Sequence, residues 1–99
     1  MSSSIIELRE ARAEHVQVEA DALVIELADG RTLAVPLSWY PRLLHGSRSE
    51  QGNWRLVGGG TGIHWPELEE DISVRGLLEG QPSRERPESL KRWLQKRSS

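Results

Sequence analysis

One stretch constrains the fold of this chain more than any other. Between His15 and Val35, apolar and polar residues alternate in three short runs: His15-Val-Gln-Val-Glu19, Leu23-Val-Ile-Glu-Leu27 and Arg31-Thr-Leu-Ala-Val35. A period of two puts one side of each run against a core and the other in water, as a half-buried strand requires. Asp29-Gly30 marks the turn between the second and third runs. A two-residue Asp-Gly turn would set Glu26 opposite Leu33 and mix the faces. A three-residue loop, Ala28-Asp29-Gly30 with Gly30 left-handed, instead pairs Ile25 with Leu33 and Leu23 with Val35, keeping one face apolar. An even loop at Ala20-Asp21 brings Val18 to Leu23 and Val16 to Ile25. The pattern predicts a three-stranded antiparallel meander with one buried face.

Pro36 closes the third strand, because it has no amide to give the ladder. Ser38 is then placed to cap a helix from Trp39 to His45, with Pro41 in its first turn and Gly46 as its stop. Ser47 to Asn53 reads as a polar loop. Trp54-Arg-Leu-Val57 reads as a fourth strand with Trp54 and Leu56 inward. The glycine loop Gly58–Gly62 and the strand Ile63-His64-Trp65 complete a second hairpin, ended by Pro66. Glu67 to Asp71 is acidic, and Asp71 or Ser73 caps a short helix that stops at Gly80. A linker follows, and Pro87 opens a last helix with a narrow stripe of Leu90, Trp93 and Leu94. At the other end, Ser4-Ile5-Ile6-Glu7 fits a capping box, which predicts either a short helix to about Ala13 or a loose lead-in. The expected fold is α+β: a meander plus a second hairpin packed against short helices, with a C-terminal amphipathic helix. The expected organisation is a lead-in at 1–13, a domain at 14–80, and a basic linker and helix at 81–99.

With 99 residues the chain has room for one domain and a small core. It has no cysteine, which excludes disulfides and cysteine-ligated metals. No apolar run approaches the ~20 residues of a membrane-spanning helix. The charged N-terminal decapeptide does not resemble a signal peptide, so a cytoplasmic location is expected. The net charge of −2 conceals an asymmetry. Up to Gln81 there are 7 Lys/Arg against 13 Asp/Glu, a balance of −6, and from Pro82 onward 6 against 2, a balance of +4. Such a basic tail can attract phosphate backbones, or simply keep an exposed helix soluble.

Few residues point to chemistry. The glycine loop lacks the following Gly-Lys-Ser/Thr and the long helix of a phosphate cradle. His64, Glu67 and Asp71 lie within eight residues, and His with carboxylates can bind a metal or move protons. Their spacing crosses a strand end, Pro66 and a turn, so nothing fixes three ligands on one face. His64 is expected to donate to Glu67 or Asp71, and no metal or cofactor is expected. Trp39, Tyr40, Trp54 and Trp65 form either one buried aromatic cluster or a partly exposed groove bordered by Arg42 and Arg55. No nucleophile–base–orienter set is present, so the chain is expected not to be an enzyme. The candidate partner-binding residues are Trp39, Tyr40, Arg42, His64, Trp65, Glu67 and Asp71, together with the tail stripe Leu90, Trp93 and Leu94. The stripe has two destinations, its own domain or another protein.

Several segments carry a family resemblance. They are Asp29-Gly-Arg31, Val35-Pro-Leu-Ser-Trp-Tyr-Pro-Arg-Leu-Leu44, Gly58-Gly-Gly60, Gly62-Ile-His-Trp-Pro66, Glu70-Asp-Ile-Ser73 and Leu77-Leu-Glu-Gly80. Their order and spacing resemble a bacterial family known as domain of unknown function 2442 (DUF2442). The tail Lys91-Arg-Trp-Leu94 resembles a variant ending of that family. The resemblance implies a small α+β domain, joined in longer members to a helix-turn-helix for which this tail is too short. It also implies a genetic neighbourhood of small toxins resembling the RelE class, hence an antitoxin-like role, and no catalytic residues. The leading expectation is therefore a protein-binding module whose partner is a small RNA-cleaving toxin. The alternatives are a nucleic-acid accessory using the basic tail and a small-ligand domain using the Trp-rich face.

Overall fold

Residues 11–98 are described by the structure, a computed structural model. The proposed capping box at Ser4 lies outside them. A helix reaching Ala13 is not formed, because Ala13 already begins strand β1.

Strands β1 (Ala13–Val18), β2 (Ala22–Leu27) and β3 (Thr32–Pro36) form the antiparallel meander in the order β1-β2-β3. Its register follows the facing argument: Val16 opposes Ile25, Val18 opposes Leu23, Ile25 opposes Leu33, and Leu23 opposes Val35. Gly30 closes the three-residue loop at φ 95°, a conformation that costs glycine nothing. One irregularity was not expected. Ala13 opposes Leu27 while His15 opposes Glu26, which leaves Glu14 as an extra, bulged residue. The bulge lets Ala13 and Val16, three positions apart, both face the core.

After Pro36 the chain makes a single 3-10 turn, Leu37–Trp39, and then a short helix α1 (Pro41–Leu44). Ser38 therefore does not cap a helix running from Trp39. A residue before proline is kept out of the helical region, and Tyr40 accordingly sits at φ −127°, ψ 85°, so Pro41 becomes the first helical residue. The segment read as a polar loop contains helix α2 (Arg48–Gly52). Its capping box is complete: Ser47 Oγ accepts from the Glu50 amide at 3.1 Å, and Glu50 Oε1 accepts from the Ser47 amide at 2.8 Å.

The second hairpin is one strand larger than expected. β4 (Arg55–Val57), β5 (Gly62–Trp65) and β6 (Glu70–Ser73) form a three-stranded antiparallel sheet in that order. Ser73, not Asp71, caps helix α3 (Val74–Leu78), accepting from the Gly76 amide at 2.8 Å. Gly80 ends that segment at φ 73°. The last helix, α4, spans Pro87–Ser98.

Both sheets contribute to one apolar core. Leu23 and Ile25 from the first, Ile63 and Trp65 from the second, and Leu37, Leu43, Leu68 and Val74 from the connections are its most buried side chains. A seam joins the sheets where the glycine loop meets the start of β1. Arg12 Nη1 donates to the carbonyls of Gly58 and Gly59 at 3.3 and 3.1 Å. A Cβ on Gly60 would stand 2.7 Å from the Ala13 carbonyl, so the contact admits only glycine. Of the tail's two destinations, the structure shows its own domain: Trp93 is 5% exposed within the core cluster, with Leu90 and Leu94 half-buried against it. Among the described residues no helix is long and apolar enough to cross a membrane.

Candidate functional site

Several of the residues singled out by sequence converge where the tail lands. Proline at the first position of α1 places Arg42 at the second, facing the strap that leads to α4. Arg42 grips Glu85 with two bonds, Nε to Oε1 at 2.5 Å and Nη2 to Oε2 at 3.2 Å, and its Nη1 reaches the Glu69 carbonyl at 3.2 Å. Ser89 Oγ donates to the same carboxylate. The Arg42 bonds hold the Glu85 carboxyl below its ordinary value. The Arg42 and Arg97 guanidinium groups lie over the Trp93 ring, 5.2 and 4.6 Å from its centroid. Arg97 in turn donates to Glu50 Oε1 at 2.6 Å, and that bond pulls the Glu50 carboxyl down to about 2. Arg42 and Trp93 thus hold the molecule together.

The aromatic residues do not form an exposed groove. Trp65 is 0% exposed, and its indole N–H donates to the Gln51 carbonyl at 2.9 Å. Tyr40 is buried too, with its hydroxyl donating to the Gln81 carbonyl at 3.0 Å. Trp39 is half-buried, and its carbonyl accepts from the Ser83 amide at 3.0 Å. Trp54 lies at the margin, edge-on to His15 with ring centroids 5.6 Å apart. A small core needs its large side chains inside, and these rings fill it. His64 and Asp71, facing each other across β5 and β6, pair Nδ1 to Oδ1 at 2.7 Å. Glu67 is not part of this pair; it accepts from Asn53 Nδ2 at 3.0 Å.

Sequence reasoning missed the group with the most unusual environment. Glu70 is 9% exposed, the one buried charged side chain in the described core. Burial pushes its carboxyl up to about 7, the charges of Glu85 and Asp71 add to the rise, and Arg42 opposes it. It lines a cleft of about 190 Å³ between β6, an edge strand, and the strap at 81–84; Tyr40, Ser73, Gln81 and Arg84 also line it. Burial and the Glu70 charge push the Tyr40 hydroxyl up as well. The available signal was parity: Leu68, Glu70, Ile72 and Val74 are all buried.

A second region is the outer face of the meander. Opposite its core side, Ala22 and Val24 of β2 and Ala34 of β3 make a flat patch of small apolar groups, half-buried or exposed. The exposed carboxylates Glu14, Glu19, Asp21, Glu26 and Asp29 belong to the same sheet and its turns. Three arginines lie near them: Arg31 is paired with Asp29 at 2.8 Å, Arg12 is engaged with the glycine loop, and Arg48 shares a cleft with Val16, Gln17 and Val18 at the β1 edge. The face is therefore acidic.

The architecture recurs in solved structures. A crystal structure of a protein of unknown function from Rhodospirillum rubrum is similar, with 28% identity and a TM-score of 0.66 over 75% of this chain and 92% of that one. A solution NMR structure of an uncharacterized protein from Chromobacterium violaceum shares the fold at 23% identity and a TM-score of 0.66, covering 81% of this chain and 75% of that one. No curated protein matches the chain. The family DUF2442, described as protein of unknown function, matches residues 13–83, from the first residue of β1 into the strap beyond α3. That span holds both sheets, the glycine loop and the Glu70 side of the cleft, and the chain belongs to the DUF2442 family.

Proposed function

We propose that the chain is a non-catalytic protein-binding module for a small basic protein, of the kind an RNA-cleaving toxin of the RelE class presents. The observation that carries this reading is the acidic outer face of the meander. Its patch of Ala22, Val24 and Ala34 offers a flat surface that a partner can dry, and the carboxylates around it favour encounter with a cationic surface. The basic tail does not cancel them, because its anchoring contacts are made with Glu50 and around Arg42. Binding is tested by calorimetry with a purified RelE-class toxin encoded beside a family member, at about 50 and about 300 mM salt. Association should weaken at the higher salt, and Glu19→Lys with Glu26→Lys should cost at least about tenfold in affinity without lowering the melting temperature. Absence of a complex, or equal binding by the charge-reversed protein, refutes the reading. A second reading rests on Lys91 and Arg92, exposed on α4. RNA binding that is lost on reversing those two charges would favour a nucleic-acid accessory instead.

A further inference from the structure

We propose that the cleft between the edge of β6 and the 81–84 strap is a binding site for an alkylammonium or guanidinium cation, with the Glu70 carboxylate as its anionic acceptor. Glu70 is nine-tenths buried, yet among the described residues no side-chain or backbone donor bonds its carboxylate. No enclosed side-chain oxygen of the described residues lacks a partner, so the Glu70 oxygens open into the cleft. The cation whose charge acts on Glu70 is already engaged: Arg42 is bidentate to Glu85 and bonded to the Glu69 carbonyl. Arg84, at the mouth, stays exposed rather than seated on Glu70. A carboxylate whose oxygens meet water only through a narrow cleft is poorly solvated, and a cation with several donors offsets that deficit.

The other walls fit the same chemistry. The Tyr40 hydroxyl donates its proton to the Gln81 carbonyl, which leaves its oxygen as an acceptor. An anion would meet Glu70 and Asp71, and a purely apolar ligand would leave the carboxylate dry and unpaired. The volume, about 190 Å³, holds roughly six waters at ~30 Å³ each. That suits one amine-bearing chain the size of a lysine side chain, either a free small amine or a partner's Lys or Arg. The site is separate from the acidic outer face, so either reading can fail alone.

The charged and titratable groups around Glu70 are Tyr40 just before α1, Arg42 on α1, Arg84 on the strap, Glu85 just after it, and Asp71 on its own strand. With the carboxyl at about 7, the ionised fraction rises roughly thirtyfold between about pH 5.5 and pH 8.5, and affinity for a cation should follow. The test is an amide chemical-shift titration of the full chain with n-butylammonium chloride and, separately, with acetyl-Gly-Lys-Gly-amide. Saturable shifts at Asp71, Ser73, Gln81 and Ser83 are expected, in the millimolar range at alkaline pH and about thirtyfold weaker at about pH 5.5. Glu70→Gln should abolish them, and His64→Gln, a change outside the lining of the cleft, should not. Stronger shifts with the free amine point to a small-molecule source, and stronger shifts with the peptide to a partner's side chain. Shifts that do not saturate, or that survive in a folded Glu70→Gln protein, overturn the proposal. If that variant does not fold, the native chain decides: binding that does not change with pH is equally fatal.

Discussion

Glu70 sets the response of the molecule to rising pH, between weakly acidic and neutral, from a single position. Its folded value of about 7 lies above its ordinary 4.5, so the folded chain keeps a proton there that the unfolded chain has released. The resulting stability is complete below the unfolded value and is lost as pH rises through the folded one, by about 1–3 kcal/mol. Glu50, drawn down to about 2, works in the opposite sense: its contribution exists above 4.5 and fades as pH falls toward 2. Scanning calorimetry across pH should therefore show the melting temperature declining on both sides of an acidic optimum, and Glu70→Gln should flatten only the decline toward neutral pH. A limb that persists in the variant would place the effect elsewhere. Two glycines make a further contrast. Alanine at Gly30, φ 95°, meets no atom within 4 Å, so it should cost only backbone strain, about 1 kcal/mol. Alanine at Gly60, φ 103°, adds a 2.7 Å clash with the Ala13 carbonyl and should cost well over about 2 kcal/mol. Equal denaturation midpoints for the two variants would mean that the seam yields freely.

Helix α2 has five residues, too few to persist without its ends tied down. Ser47→Ala should cost about 1 kcal/mol of unfolding free energy. Glu50→Ala should cost more, since Glu50 serves both the cap and Arg97. For α4, Trp93→Ala should cost about 3–5 kcal/mol as a buried aromatic, and truncation after Gly80 should lower melting by many degrees; an unchanged midpoint would show that the tail is not part of the core. These elements differ in how well the sequence announced them. The meander and its register were legible because alternation and one glycine turn agree. The Ser47–Glu50 box uses the same Ser-x-x-Glu spacing noticed at Ser4, yet it went unread because the segment has no apolar stripe. β6 was hidden by its acidic start, since charge usually marks solvent, and Pro41 moves the helix start two residues past the one expected after Ser38. The His64–Asp71 pair was foreseeable from neighbouring residues. For Glu70 the sequence offered only its parity with Leu68 and Ile72, and the strap more than ten residues downstream that covers it gave no local sign.

At the scale of the whole molecule, two sheets share one core and should unfold together. Ile25→Ala in the first and Ile63→Ala in the second should each cost about 2–4 kcal/mol and shift the same single transition, by fluorescence and by circular dichroism alike. Two separate transitions would show that the seam at Arg12 and Gly60 does not couple them. The bond between Arg97 and Glu50 has a consequence for the time at which the fold can close. Its partners stand 47 positions apart in the chain. At roughly 5–20 residues per second of synthesis, the ribosome needs several seconds to reach Arg97 after it has made Glu50. Throughout that interval α4 is still incomplete, so the socket for Trp93 cannot close. The newborn protein therefore passes through a stage, fixed by the order of its own translation, in which a chaperone or another chain can reach apolar surface that the finished molecule conceals.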